Sequence, residues 1–279
     1  MRVAYLGPPG TFCQRAAETW VAKRPWPAAR LELVPMDTIT EVAMAVQDGQ
    51  ADAGIVPIEN SVEGTVNLTL DLLFAIKEIK IQGEIVLEIE HYLATEKSNA
   101  AGPIEVIYSH PQALAQCRQY LERHYPVARI VPTASTGAAA ALVAAGTERA
   151  AAIVSRAAVD LYGLEVLAAG IQDFASNKTR FVVLGHGLPA PTGRDKTSLV
   201  LALRENRPGG LYQVLKDFAD AVIDLTKIES RPAKQELGDY VFFIDCEGHV
   251  DHGRLAGVIA RLQEKTALLE VLGSYPRWG

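Results

Sequence analysis

Cysteine is scarce. Only Cys13, Cys117 and Cys246 occur in 279 residues, an odd number without a C-x-x-C pair, which excludes a disulfide framework and a cysteine-based zinc cluster. A surplus of basic charge is also missing. Twenty-seven Lys and Arg stand against 33 Asp and Glu, a formal net charge of −6, so no broad positive field is available for a phosphate backbone and nucleic acid is not an expected partner. No apolar run approaches the roughly 20 residues of a membrane span, and Met1 to Leu6 before Gly7-Pro8 leaves no room for the apolar segment of a signal peptide. These absences predict a protein of the reducing cytoplasm that neither crosses a membrane nor is exported. What the chain does have is apolar mass: 49% hydrophobic against 22% charged residues, enough for more than one core.

The apolar runs are punctuated as in βαβ units. Val3 to Leu6 ends at Gly7-Pro8-Pro9-Gly10, and Thr11 to Gln14 then has the S/T-x-x-E/Q spacing of a capping box. The grammar recurs at Leu31 to Val34, Thr38 to Glu41, and the run Ala53 to Ile58. Ile79 to Leu93 reads as extended chain passing between lobes, after which strand Ile104 to Tyr108, a helix from Pro111, strand Arg129 to Val131, a helix from about Thr136 to Ala145 and strand Ala151 to Val154 follow. Phe181 to Leu184 closes this region. The alternation predicts a mostly parallel α/β architecture over residues 1–185, two lobes with a central cleft. Residues 186–195 concentrate Gly and Pro and read as a linker. Residues 196–279 follow the order βαββαβ, a small ferredoxin-like α+β domain.

Metal and nucleophile patterns are missing. His249 and His252, beside Asp245, Glu247 and Asp251, read as a solvated polar turn rather than a metal site, and Gly7-Pro8-Pro9-Gly10-Thr11 has neither a Walker lysine nor dinucleotide glycine spacing. Strand ends rich in hydroxyl and amide groups carry more information, because α/β folds bind ligands there. They are Pro57 to Thr65, Ser109-His110-Pro111-Gln112, Ser135-Thr136 and Asn177 to Phe181. Each also has a plain reading as a helix cap or turn.

Gly7-Pro8-Pro9-Gly10-Thr11-Phe12, Pro57-Ile58-Glu59-Asn60-Ser61-Val62-Glu63-Gly64, Ser109-His110-Pro111-Gln112 and Thr179-Arg180-Phe181 resemble the successive motifs of the prephenate dehydratase family. Pro208-Gly209-Gly210-Leu211 and Lys227-Ile228-Glu229-Ser230-Arg231-Pro232 resemble the amino-acid-binding ACT domain that these enzymes carry. Together the resemblances cover nearly the whole chain, in order. They imply conversion of prephenate to phenylpyruvate with loss of carbon dioxide and water, in phenylalanine biosynthesis, with no metal or redox cofactor. Allosteric control by L-phenylalanine and a homodimer or homotetramer are further implications. Because the chain begins at its first strand, the helical chorismate mutase fused to some relatives is not expected. An arogenate dehydratase and a non-enzymatic two-lobed binding protein are the alternatives.

The resemblance assigns Thr179 to the active site, where its hydroxyl donates to the departing oxygen; a threonine is too weak an acid to be the sole proton source. Glu59 either orients Asn60 or joins a proton relay, and beside a dianion it must be protonated, hydrogen-bonded away or distant. Thr11, Asn60, Ser61, Ser109, Gln112, Gln116, Ser135 and Thr136 are neutral groups suited to an anion. Arg180 has two readings, a bidentate carboxylate ligand or a structural ion pair, and Phe181 is an apolar wall or core. Gly209, Gly210, Leu211, Asp224, Leu225, Glu229 and Ser230 are the implied effector residues. Two positions depart from the family: Cys13 stands where serine is usual, and Asp224 where asparagine is usual.

Overall fold

The computed structural model describes residues 1–23, 31–146, 148–174, 176–205, 207–233 and 240–278. The chain opens with β1 (Arg2–Leu6), α1 (Phe12–Ala22), β2 (Glu32–Met36), α2 (Ile39–Gln47), β3 (Ala53–Asn60), β4 (Gly64–Thr65), α3 (Asn67–Ala75) and β5 (Ile79–Glu88). The capping boxes form: Gln14 N–H donates to Thr11 Oγ1 at 3.4 Å, and Glu41 N–H donates to Thr38 Oγ1 at 3.0 Å. Glu41 Oε2 in turn accepts from the N–H of Asp37, the residue before the cap, at 3.0 Å, which ties the entering chain to the first turn of α2.

The chain then crosses into a second lobe of β6 (Tyr92–Thr95), β7 (Val106–Ser109), α4 (Pro111–Gln116), α5 (Arg118–His124), β8 (Arg129–Pro132), α6 (Thr136–Ala144), β9 (Ala150–Val154), α7 (Arg156–Tyr162) and β10 (Glu165–Ala169). It returns through β11 (Lys178–His186). β11 runs antiparallel between β3 and β5, while β6 and β10 pair antiparallel in the second lobe's sheet, order β10-β6-β9-β7-β8. Both sheets are therefore mixed, where the sequence pattern predicted mostly parallel. The first lobe is built from two separate stretches of chain, 2–88 and 178–186, with the second lobe inserted between them, and the crossing strands lie against the direction of their neighbours. The short α3, α7 and β10 also escaped the sequence reading.

Residues 187–194 connect β11 to β12 (Asp195–Leu203), followed by α8 (Gly210–Asp220), β13 (Leu225–Pro232), β14 (Tyr240–Glu247), α9 (Gly253–Lys265) and β15 (Thr266–Pro276). The strand order β13-β14-β12-β15 with two helices is the arrangement of a split βαβ fold. It does not hang free. β15 pairs in parallel with β5 at Gly273 and Ile81, which joins this sheet to that of the first lobe. One apolar core runs across the junction, from Ile79, Ile81, Val182 and Leu184 to Val200, Val241, Phe243 and Tyr275. No helix among the described residues is long and apolar enough to cross a membrane.

Gly273 is needed for this junction. A Cβ there would lie 2.5 Å from both the Cβ and the carbonyl oxygen of Ile81, and backbone cannot yield as a flexible side chain does. Gly273→Ala is expected to cost about 1–3 kcal/mol of stability, read as a lowered urea midpoint with an unchanged slope. An unshifted midpoint would mean that the β15–β5 contact does not hold the sheets together.

Candidate active site

Between the lobes lies a cavity of about 640 Å³, within the range of small-molecule sites. The starts of two helices border it, α1 through Thr11 and Phe12 and α6 through Ser135 and Thr136, and the start of α4 adds His110 and Gln112. Leu6, Phe12, Pro57, Ile89 and Phe181 supply apolar wall. Among the described lining residues there is no Lys or Arg. Apart from the Asp37 carboxylate, an anion in the cavity would thus meet helix N-termini and neutral groups rather than a full positive charge.

A chain of hydrogen bonds with one possible direction runs along the wall. It starts at Val62 and Glu63, whose backbone N–H groups donate to Asn60 Oδ1 at 2.9 and 3.0 Å. Backbone nitrogens only donate, so the amide of Asn60 is oriented and its Nδ2 is the donor to Thr179 Oγ1 and to Asn177 Oδ1, each at 2.8 Å. Asn177 Nδ2 then donates to Gln116 Oε1 at 2.9 Å, and that oxygen also accepts from His91 Nε2–H at 2.9 Å. Two results follow. Thr179 Oγ1 is used as an acceptor within the protein, so its own proton is left for an acceptor in the cavity. His91 is the neutral Nε2–H tautomer, and burial, opposed by the hydrogen bond to Gln116, lowers its pKa below the ordinary value.

The predicted residues fall on two sides. Thr11, Asn60, Gln112, Gln116, Ser135, Thr136, Thr179 and Phe181 line the cavity. Glu59, Ser61, Ser109 and Arg180 do not. Ser109 is fully buried and its hydroxyl donates to Ile153 O at 2.7 Å. Ser61 Oγ is occupied by Lys178 N–H at 2.9 Å and by Ser176 O at 3.2 Å. Arg180 and Glu59 are excluded by strand geometry: successive side chains alternate between faces, so with Thr179 and Asn60 facing the cavity their neighbours face away. Arg180 Nη2 lies 3.1 Å from Glu59 and 2.7 Å from Asp245, and Nη1 3.3 Å from Glu84. Its two readings resolve to the structural ion pair.

His91 and Asn177 belong to the hydrogen-bond chain along the cavity wall and were not among the residues expected from the sequence. Asn177 lay within a segment already singled out, so its amide was a usable signal. His91 is a lone histidine in an extended apolar run, and nothing local distinguishes it. Cys13 also lines the cavity, and burial pushes its thiol up to about 12. At neutral pH it therefore stays protonated and packs as a small apolar side chain. Incubation with iodoacetamide at pH 7.5, followed by mass spectrometry of the native protein, is expected to leave Cys13 unmodified; rapid alkylation would contradict this.

The effector residues implied by the ACT resemblance do not form one site within a single chain. Gly209, which caps α8, Gly210 and Leu211 lie beyond the end of β12. Through shared partners on β14, Leu225 is level with Thr197 and Ser230 with Leu201. Asp224 and Leu225 thus sit at the opposite end of the domain, because α8 returns the chain antiparallel before β13 starts. Glu229 turns toward the first lobe and hydrogen-bonds Thr65.

Comparison with known proteins bears on the whole chain. Residues 3–188 match the family model described as prephenate dehydratase. The bifunctional chorismate mutase/prephenate dehydratase of Aquifex aeolicus is 43% identical, over 99% of this chain and 74% of that protein. The prephenate dehydratase of Amycolatopsis methanolica is also 43% identical, over 99% of this chain and 88% of that one. Among solved structures, prephenate dehydratase from Arthrobacter aurescens in complex with L-Phe superimposes with a TM-score of 0.88 at 36% identity, covering 99% of this chain and 90% of that one. A family model that spans both lobes, and relatives 43% identical over 99% of this chain, place the chain in the prephenate dehydratase family.

Proposed function

We propose that the interlobe cavity converts prephenate to phenylpyruvate, and that the observation carrying this reading is Thr179, an oriented hydroxyl donor in a cavity built for an anion. In the reaction the bond from the ring to its carboxylate carbon breaks, its electron pair enters the ring, and the bond to the ring hydroxyl breaks. Carbon dioxide leaves, and the expelled hydroxide takes one proton from solvent to become water. Aromaticity supplies the driving force, so the protein's task is placement. The starts of α1 and α6 hold the pyruvyl carboxylate, and Phe12, Ile89 and Phe181 leave the ring carboxylate poorly solvated, which favours its loss as neutral carbon dioxide. Thr179 donates to the leaving oxygen as charge develops there.

Incubating the purified protein with prephenate at neutral pH and following phenylpyruvate is the test. Binding without product would leave a ligand-capture protein, and a strong preference for arogenate would change the substrate while keeping the role of Thr179.

The finer reading is that residues 196–279 are an ACT regulatory domain to which L-phenylalanine binds as a feedback inhibitor. Its support is the βαββαβ order and the relative solved with L-Phe. β13 lies at the edge of the sheet with Ile228 and the neighbouring Tyr240 exposed, which suits pairing with a second copy in a homodimer or homotetramer. Phenylalanine is expected to lower the dehydratase rate, and light scattering to give at least a dimer. A monomer with or without phenylalanine would remove the pairing.

A further inference from the structure

We infer that Asp245 and Lys227, both in the C-terminal domain, are positioning residues for the Asn60–Thr179 pair, acting through ion pairs to the residues on the reverse face of the same two strands. The inference rests on the dehydratase reading of the cavity.

The register makes the connection. In the β3–β11 ladder Thr179 faces Asn60 and Arg180 faces Glu59, two adjacent cross-strand pairs. The front pair, Thr179 and Asn60, points into the cavity, while the rear pair, Arg180 and Glu59, is turned toward the C-terminal domain. Both members of the rear pair are held from that domain. Asp245, on β14, lies 2.7 Å from Arg180 Nη2. Lys227, on β13, lies 3.6 Å from Glu59 and 3.4 Å from Glu229, and its Nζ donates to Thr65 Oγ1, on the β4 strand that pairs with β3, at 2.6 Å. A shift of either strand of the C-terminal domain would therefore pull on Arg180 or Glu59, and each is bonded through one peptide unit to a residue of the front pair.

The cluster behind Thr179 is closed by other parts of the same domain. Glu84, on β5, takes Lys196 Nζ at 2.7 Å and the backbone N–H of Trp278 at 3.1 Å. Asp245 Oδ1 accepts from Ser198 Oγ at 2.6 Å, and Ser198 Oγ meets Tyr275 OH at 2.7 Å. Arg180 is the cation that bridges Glu84 and Glu59 of the first lobe to Asp245. Close as it is, the Arg180–Asp245 contact lacks hydrogen-bond alignment: Arg180 Nε and Nη2 and Asp245 Oδ2 are buried without an in-line partner. Attraction without directional bonds tolerates movement, so the guanidinium can follow its carboxylates as the domain shifts. The strand itself is irregular here, since the β3–β11 register slips between Arg180 and Phe181, and such a break lets a local shift occur without moving the whole ladder.

The test compares full-length Asp245→Asn, Lys227→Met and Lys227→Arg with wild type in prephenate turnover and in calorimetric titration with L-phenylalanine. Asp245→Asn is expected to lower kcat at least tenfold and Lys227→Met at least fivefold, with KM within twofold of wild type, while Lys227→Arg recovers more than half of the rate. Loss of packing alone would not be rescued by arginine. Should Asp245→Asn fail to fold, Lys227→Met decides, because that ammonium lies in the interface rather than in the closed cluster. A folded Lys227→Met protein with kcat within twofold of wild type overturns the inference. Wild-type protein that makes no phenylpyruvate sinks the dehydratase reading itself, whereas active wild-type protein that does not bind phenylalanine removes the effector and leaves the kcat comparison decisive.

Discussion

Thr179→Ala should lower kcat by about 10²–10³-fold, the usual cost of removing one preorganised donor from a developing oxyanion, with little change in KM. The split follows from the hydrogen-bond chain. Asn60 Nδ2 donates to Thr179 Oγ1 at 2.8 Å, which turns the threonine proton toward the cavity before substrate arrives and makes the hydroxyl a better donor. A neutral ring hydroxyl gains little from such a donor in the ground state, whereas a departing hydroxide gains much. Thr179→Ser keeps the oxygen and should retain most of the rate, while Thr179→Val, which has no hydroxyl, should resemble alanine. Steady-state kinetics on the three variants checks this. Near-normal turnover in a folded Thr179→Ala enzyme would remove the donor from the mechanism.

Arg180→Met is expected to act on stability and not on substrate affinity. Arg180 is 9% exposed, and its attraction to Asp245, Glu84 and Glu59 outweighs the desolvation that opposes its charge, so its pKa is raised and it is ionised at every working pH. Replacing it with an apolar side chain leaves Glu84 with Lys196 and leaves Asp245 buried without its cation. Breaking a buried pair from one side costs about 3–5 kcal/mol, enough to move the urea midpoint far and to lower the folded fraction at 37 °C. Substrate affinity in the folded remainder, measured as KM under conditions of slow turnover, should stay within twofold. A tenfold rise in KM with an unchanged midpoint would put the guanidinium back in the cleft. Arg180→Lys keeps the charge but cannot reach three carboxylates at once, so it should fall between wild type and Arg180→Met in stability.

Local sequence determined what local physics controls. Thr11-x-x-Gln14 and Thr38-x-x-Glu41 specify helix starts within four residues, and both form as read. The alternation of apolar runs with capped helices carried the two-lobed α/β class, and the hydroxyl- and amide-rich strand ends carried most of the cleft. Tertiary structure decided what depends on partners distant in sequence. Thr179 and Arg180 are adjacent and equally suited to a carboxylate-rich substrate, yet β11 must present them to opposite faces. Which face is the cleft depends on how β11 is inserted between β3 and β5, 119 residues from Asn60. The assignment of Arg180 rests further on Asp245 and Glu84, acidic residues 65 positions later and 96 earlier, which no local pattern pairs with it. His91 is the same case in reverse: unmarked in its own segment, it acquires its tautomer from Gln116, whose carbonyl is oriented only because backbone amides at Val62 and Glu63 can do nothing but donate.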